Sequence, residues 1–407
     1  MAHSDQLSRP EVPAALARHR REMRRARTIY AVVVAVLVVI GFAGVRLAYA
    51  HGELDKVTST VGPSATALPT GTPAAALRQV WSNAGQAAVG EPYESGVVVT
   101  WSGHTVQGVD VSTGKVRWSY RKADEVLCSV VQQDGSTIAL YRRDGNCDQV
   151  TGITTATGAP KWWRTLTDNG PLALSSTANV VLAVSATTVH DFDNFGGVDR
   201  WLFTAPDGCQ VDRALGGSKG VLISYHCGSQ HHLTMHDLTT NKDKQNFDVP
   251  VNEDYVPVAA GTVLAVASQS SGEVRTVNGA DGKLAATLSL GSPDRVKAAL
   301  SGLPRSQTTV EATSADNTAV EIVRLDQAYA IGAQAAVAWT AKTSGWPSIV
   351  NDTVALPVKG SIELRSATDG GVRRSVSLAP SPAQADQPVF AAGSGLVVAG
   401  PTVAYYN

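Results

Sequence analysis

Four cysteines in 407 residues, no two of them adjacent and none in a Cys-x-x-Cys-His arrangement, exclude a c-type haem attachment. The regular 3.6-residue apolar spacing of helical repeats is absent from the body of the chain, which excludes helical solenoids. Charge is scarce and balanced. Asp, Glu, Lys and Arg make up 17% of the residues, with a formal net charge of −1. The first 27 residues hold seven arginines against Asp5, Glu11 and Glu22, a balance of +4, so the remainder sits near −5. That sign argues against nucleic acid as a partner. No cysteine stands directly after the apolar run at 29–45, which excludes a lipoprotein anchor.

What the chain does have is a segment that recurs about every forty residues: an apolar strand, Asp, a Thr-Gly type turn, and a strand carrying Trp. The clearest copy runs Val106 to Trp118 through Asp110, Thr113 and Gly114; a second has Thr157, Gly158 and Trp162, and a third Asp193, Gly197 and Trp201. Looser copies turn at Asn241, Gly282 and Gly370, giving steps of 44, 39, 44, 41 and 88 between turn residues. Repeats of this length, built from short β-branched runs and Gly turns, predict an all-β chain of propeller blades. Gly or Asn at the fixed position supplies a positive φ, and the preceding Asp and Thr can bond the turn amides. Trp118, Trp162 and Trp201 are expected to pack between neighbouring blades.

The phrase Asp-x-x-Thr-Gly-x-x-x-Trp resembles the PQQ-like family of β-propeller repeats over roughly residues 78–407. The resemblance implies a fold similar to that of the propeller lipoprotein of outer-membrane β-barrel assembly and of actinobacterial envelope propellers. Quinone-dependent members of the family use a vicinal disulfide, a Trp beneath the quinone and carboxylate ligands to calcium. This chain has no adjacent cysteines, so no cofactor and no enzymatic activity are expected. A sixth repeat near Ala319 to Trp339 is degenerate, with Leu325 to Gly332 in the place of the turn. The lone Trp strand at Gln79 to Ser82 and the strands of Val389 to Tyr406 are each incomplete; pairing them would close the ring and remove two exposed edges. Eight four-stranded blades are expected, with seven as the alternative if 294–345 forms one irregular blade.

The N-terminal part sets the expected location. Residues 1–27 read as a basic cytoplasmic tail, 28–50 as a transmembrane signal-anchor helix, and 51–77 as a disordered Pro/Thr/Ala linker ahead of the propeller at 78–407. The basic side stays in the cytoplasm, which places the propeller outside a plasma membrane. Ala48-Tyr49-Ala50 also fits a signal-peptidase site, so cleavage after Ala50 remains the alternative. The cysteines agree with an exterior location. Cys128 with Cys147 and Cys209 with Cys227 hold equivalent places in their repeats and are expected as two disulfides, each worth about 2–4 kcal/mol.

Other constellations read as structural. His226, His231, His232 and His236 lie beside Cys227, but on one strand His232 and His236 share a face that His231 does not. Asp191, Asp193 and Gly196 open like a calcium loop whose twelfth position is Leu202 in place of Glu. Gly216-Gly217-Ser218-Lys219-Gly220 matches a nucleophile-elbow pattern, yet the next residues read as a strand, not the helix an elbow needs. The expectation is therefore a non-catalytic, membrane-tethered scaffold that binds an envelope membrane protein, or else a lipid or glycan, and accompanies cell-envelope assembly or transport.

Overall fold

Val97–Ser102 and Thr105–Asp110 are β-branched runs joined at a tight turn, and they pair in unbroken antiparallel register from Val97↔Asp110 to Ser102↔Thr105. Val116–Lys122 adds a third strand beyond the Asp110 turn, and the short pieces Gln86–Ala87 and Tyr93–Glu94 line the other side. The same meander repeats along the chain in the computed structural model, which describes residues 29–41 and 56–407 apart from 91–92, 167–171, 178–179, 238–243, 303–305, 308–309, 314–317, 383–387 and 401.

The second sheet runs Val126–Gln133, Ser136–Arg143, Asn146–Thr154, Pro160–Thr165; the third Ala173–Thr177, Val180–Val184, Thr188–Phe192, Asp199–Thr204. The fourth runs Cys209–Gly217, Gly220–Cys227, Gln230–Asp237, Lys244–Val251; the fifth Tyr255–Ala260, Leu264–Ser268, Val274–Val277, Leu284–Thr287; the sixth Val310–Thr313, Ala319–Arg324, Ala328–Gly332, Val337–Ala341. A last, eight-stranded sheet contains two antiparallel quartets. One is Ser348–Val350, Thr353–Val358, Ser361–Ser366, Val372–Ala379; the other is Val389–Ala392, Gly395–Ala399 and Thr402–Tyr406 completed by Ala76–Ala84 from the far end of the chain. That closing strand pairs Gln79↔Tyr406, Trp81↔Tyr405 and Asn83↔Val403, while Ala76 to Arg78 run parallel to Ser377 to Ala379.

Middle strands such as Val180–Val184 are buried at every position, because a neighbouring sheet covers each face; outer strands such as Asp199–Thr204 alternate buried and exposed. The joint between sheets is a tryptophan wedge. Trp118 lies cross-strand from Gly108 of its own sheet, and a Cβ at Gly158 of the second sheet would come 2.5 Å from it. Its Nε1 donates to the Thr155 carbonyl at 2.8 Å. Trp162 sits in the same way between Gly152 and Gly197, Trp81 meets Gly114, and Trp339 meets Gly370 with Nε1 donating to the Ala367 carbonyl at 2.8 Å. Trp201 stacks on the His236 ring at 4.7 Å, and Phe247 takes the wedge position against Gly282. The turn glycine needs both its missing Cβ and its left-handed backbone, φ +76° at Gly158.

The degenerate repeat has a different register from the one expected. Its turn lies at Gly332 to Ala336, with Ala335 at φ +57° in the glycine position and Trp339 four residues later, as Trp118 follows Gly114. The 88-residue step therefore divides into 53 and 35, and the longer part accommodates a helix, Pro293–Ser301. Ser292 and Pro293 start this helix, Gly302 ends it, and Val296 and Leu300, one turn apart, bury one face against Val323, Leu325 and Tyr329.

The segment expected as a disordered linker is a strap from residue 58 onward. Val57–Thr60 adds to Val116–Lys122 as an outer strand. Gly62 donates its amide to the Thr157 carbonyl at 2.9 Å, and Leu68 donates its amide to the Tyr93 hydroxyl at 3.0 Å. Arg117 donates to the Pro63 carbonyl at 2.8 Å, Asn351 to the Gly71 carbonyl at 3.0 Å and Arg374 to the Pro73 carbonyl at 2.7 Å. Residues poor in apolar side chains are thus held by their backbone. Inner edges are capped too: Val89–Gly90 pairs parallel to the second sheet and Ser306–Gln307 to the fourth.

Residues 29–41 are helical. Among the described residues no helix is long and apolar enough to cross a membrane. The rest of the span expected at 28–50, and the basic tail 1–27, lie outside the described residues.

Two outcomes are expected. Trp118→Ala should lower stability by about 3–5 kcal/mol in urea unfolding, whereas Trp163→Ala, at a side chain 67% exposed, should change it by no more than about 0.5 kcal/mol. In hydrogen exchange the amides of Gly62 and Leu68 should be protected on the timescale of the sheet, where a free linker would exchange at once.

Candidate functional site

Each residue singled out in the sequence has a definite place in the sheets. Cys128–Cys147 ties the first strand of the second sheet to its third, with Cα atoms 6.2 Å apart, and Cys209–Cys227 joins two strands directly opposite in register in the fourth. Both expected disulfides are present. Because Cys227 is oxidised, it offers no thiolate.

The imidazoles beside it diverge. His236 stacks on Trp201 and His232 on Tyr225, each at 4.7 Å, so this face joins the third and fourth sheets. On the other side His226 Nδ1 meets Asp212 at 2.7 Å, and the His231 ring lies 5.9 Å from that of His226. Among the described residues no three His, Cys, Asp or Glu side chains converge as a metal would require.

Asp193 spends its carboxylate on the turn amides of Phe195 and Gly196, at 3.1 and 3.0 Å. Burial lifts the Asp191 carboxyl to about 6, against the pull of Arg200, whose guanidinium donates to it at 2.8 Å. Gly216 to Gly220 form a β-hairpin, with Ser218 at its tip donating through Oγ to Glu311 at 2.8 Å.

Sequence reasoning missed a set of carboxylates that clamp hairpins of other sheets. Glu94 accepts the Gly135 amide at 2.8 Å and the Gln132 side-chain amide at 3.0 Å. Glu311 accepts the Ser218 amide at 3.1 Å. Glu321, wholly buried, accepts the amides of Ala260, Gly261 and Val263 at 2.9, 3.0 and 3.2 Å. Their partners are backbone groups on distant strands, which leave no trace in the local sequence. Burial pushes the Glu321 carboxyl up to about 8 from its ordinary 4.5, the three amides pulling the other way and the Glu311 charge adding to the rise.

A cleft also went unseen. A cavity of about 510 Å³ is lined by Arg295, Ala298, Ala299 and Gly302 of the helix end, Arg324, Leu325 and Asp326 of the hairpin in the sixth sheet, and Trp346 of the following connection. Arg324 lies over the Trp346 ring, 4.8 Å from its centroid, and Arg295 meets Asp326 at 3.4 Å. The extra length between Gly282 and the next turn was its one sequence signal.

The folded chain holds a proton on Glu321 that the unfolded chain releases. Its contribution to stability is full below pH 4.5 and is lost as the pH rises past about 8. Urea titrations between pH 5 and 8.5 should show this decline, about 1.4 kcal/mol per pH unit at its steepest, and Glu321→Gln should remove it.

No family model matches the chain, and no curated protein matches it. Among solved structures it is similar to the computationally designed protein Ika8, at 11% identity over 81% of this chain and 98% of that one, with a TM-score of 0.52. It is also similar to Sqt1 of Saccharomyces cerevisiae, at 9% identity over 84% and 99% of the two chains, TM-score 0.51. BamB of Moraxella catarrhalis matches at 15% identity over 81% and 99%, TM-score 0.49. At such identities the likeness speaks to architecture alone, and that architecture is a β-propeller.

Proposed function

We propose that this protein is a non-catalytic scaffold: an eight-bladed propeller of the PQQ-like type, from an actinobacterial cell, tethered outside the plasma membrane by residues 28–50 and serving as an accessory factor in envelope assembly or transport. The observation that carries this reading is where the reactive side chains go. Asp193, Ser218, His232, His236 and the clamping glutamates are each engaged in bonds or stacks that hold strands together, which suits a rigid display surface better than a reaction centre. Two disulfides support an oxidising compartment. The apolar side chains from Ile29 to Ile40, largely exposed and preceded by a basic stretch, support a membrane tether with the basic end inside.

Photo-crosslinking from ring positions in native membranes tests the reading. Recovery of a defined envelope membrane protein is expected; recovery of nothing above the level of an untagged control would sink it. In the same membranes the full chain should resist alkaline extraction, and deletion of residues 28–50 should release it.

A further inference from the structure

In the fourth sheet one pair of imidazoles stands apart from the stacks that join neighbouring sheets. His226 and His231 lie directly opposite one another on antiparallel strands, and partners in that register share a face, with Cβ atoms about 4.5–5.5 Å apart. Their ring centroids are 5.9 Å apart and the planes are tilted by 47°. Two imidazoles that share one metal, each nitrogen about 2.0–2.1 Å from it, have centroids between about 4.5 and about 6.4 Å apart as the angle at the metal opens from a right angle to a straight line. The observed separation falls inside that range, so a turn of the side chains suffices and the strands need not move. The pair is also held from both ends. Cys227, next to His226, is bonded to Cys209 of the neighbouring strand, and it faces Gln230 across the two-residue turn Gly228-Ser229, which Gly228 opens at φ +62°. Folding of the hairpin has thus already brought the two rings together, and binding need not repeat that cost.

Asp212 settles the state of the first ring. Its Oδ1 accepts the His226 Nδ1–H at 2.7 Å, which in the neutral ring leaves the lone pair on Nε2. A carboxylate behind an imidazole is the usual support of a metal-bound histidine, since it fixes the ring and raises its basicity. With side chains 31% exposed at His226 and 20% at Asp212, water reaches the site. His231 adds an independent sign. Its Nδ1 is shut off from solvent and takes part in no hydrogen bond, so nothing there fixes its tautomer. A shielded polar atom without a partner is uncommon in native proteins, and an ion is one of the few things that account for it. Imidazole ligands select late first-row metals, with Cu2+ bound most tightly, whereas Ca2+ and Mg2+ want oxygen.

We propose that His226 and His231 bind a divalent late first-row metal ion, Cu2+ most tightly, with Asp212 holding the His226 ring and water completing the coordination. Two protein ligands are fewer than the three or four of a permanent centre, so the ion is exchangeable. The inference goes beyond the scaffold reading and does not depend on it.

The test uses the full-length protein in detergent micelles, stripped of metal by a chelator, with His3→Ala in every sample so that the amino-terminal Met-Ala-His does not compete for the ion. Calorimetric titration with Cu2+ should show one site, and the electron paramagnetic resonance spectrum of the loaded protein should show coupling to two imidazole nitrogens. His226→Ala and His231→Ala should each weaken binding at least tenfold and reduce the coupling to one nitrogen; His226→Gln serves if His226→Ala does not fold. Asp212→Asn should weaken binding about tenfold. His104→Ala, at a turn of the first sheet, should leave it unchanged. Ni2+ and Zn2+ should bind more weakly than Cu2+, and Ca2+ should not compete. Absence of a Cu2+ site, or a site indifferent to His226 and His231, overturns the inference. Competition by Ca2+ on equal terms also overturns it, because it assigns the ion to carboxylates. Binding unchanged in Asp212→Asn overturns the part given to that residue.

Discussion

The ring depends on an aromatic plate fitting between two glycines. Trp118 and Trp162 each lie against a glycine of their own sheet and a turn glycine of the next, and the backbone of that turn adopts a conformation that side chains avoid. Close approach of two sheets is possible only because both contact points lack a Cβ. The indole N–H, buried by the same contact, is satisfied by a carbonyl of the neighbouring turn, so one side chain supplies apolar area and a directional bond to the same joint. The Asp at the start of the turn completes the unit. Asp110 accepts the amides of Ser112 and Thr113 at 3.1 and 3.0 Å, so the glycine is presented at a fixed angle to the incoming ring.

Around this joint the structure uses polar groups as fasteners. Glu94, Glu311 and Glu321 hold hairpin tips of other sheets through backbone amides, a task that apolar contact performs poorly because it is indifferent to register. The strap does the same from outside, with Pro, Thr and Ala residues whose carbonyls meet Arg117, Asn351 and Arg374. Stiffness of this kind is what a display surface needs, and it leaves the connections between sheets as the places where one repeat can differ from another.

Much of the architecture was legible because the wedge has a fixed grammar. A Trp four residues after a positive-φ turn is visible in the first three repeats, and the incomplete ends at Gln79 and Tyr406 announced their own pairing. The same grammar hid the sixth repeat, since Ala335 stands where the pattern calls for glycine. Composition misled at the strap: a stretch without apolar runs or charge reads as a free tether, yet backbone donors and acceptors have no composition. The cleft was beyond reach for a related reason. Arg295, Arg324 and Trp346 come from a helix, a strand end and a connection far apart in the chain, and only the fold brings them together.

The closing sheet has a kinetic corollary. Tyr406 and Gln79 are 327 residues apart in the chain, and their strands complete one another. An early-made strand must therefore wait, with Trp81 covered on its Gly114 side alone, until almost all later sheets exist. Contacts of such long range are slow to form, and the nascent protein carries an unpaired edge throughout that interval. The arrival of residues 402–406, which pair with that strand, is the event that ends its vulnerability.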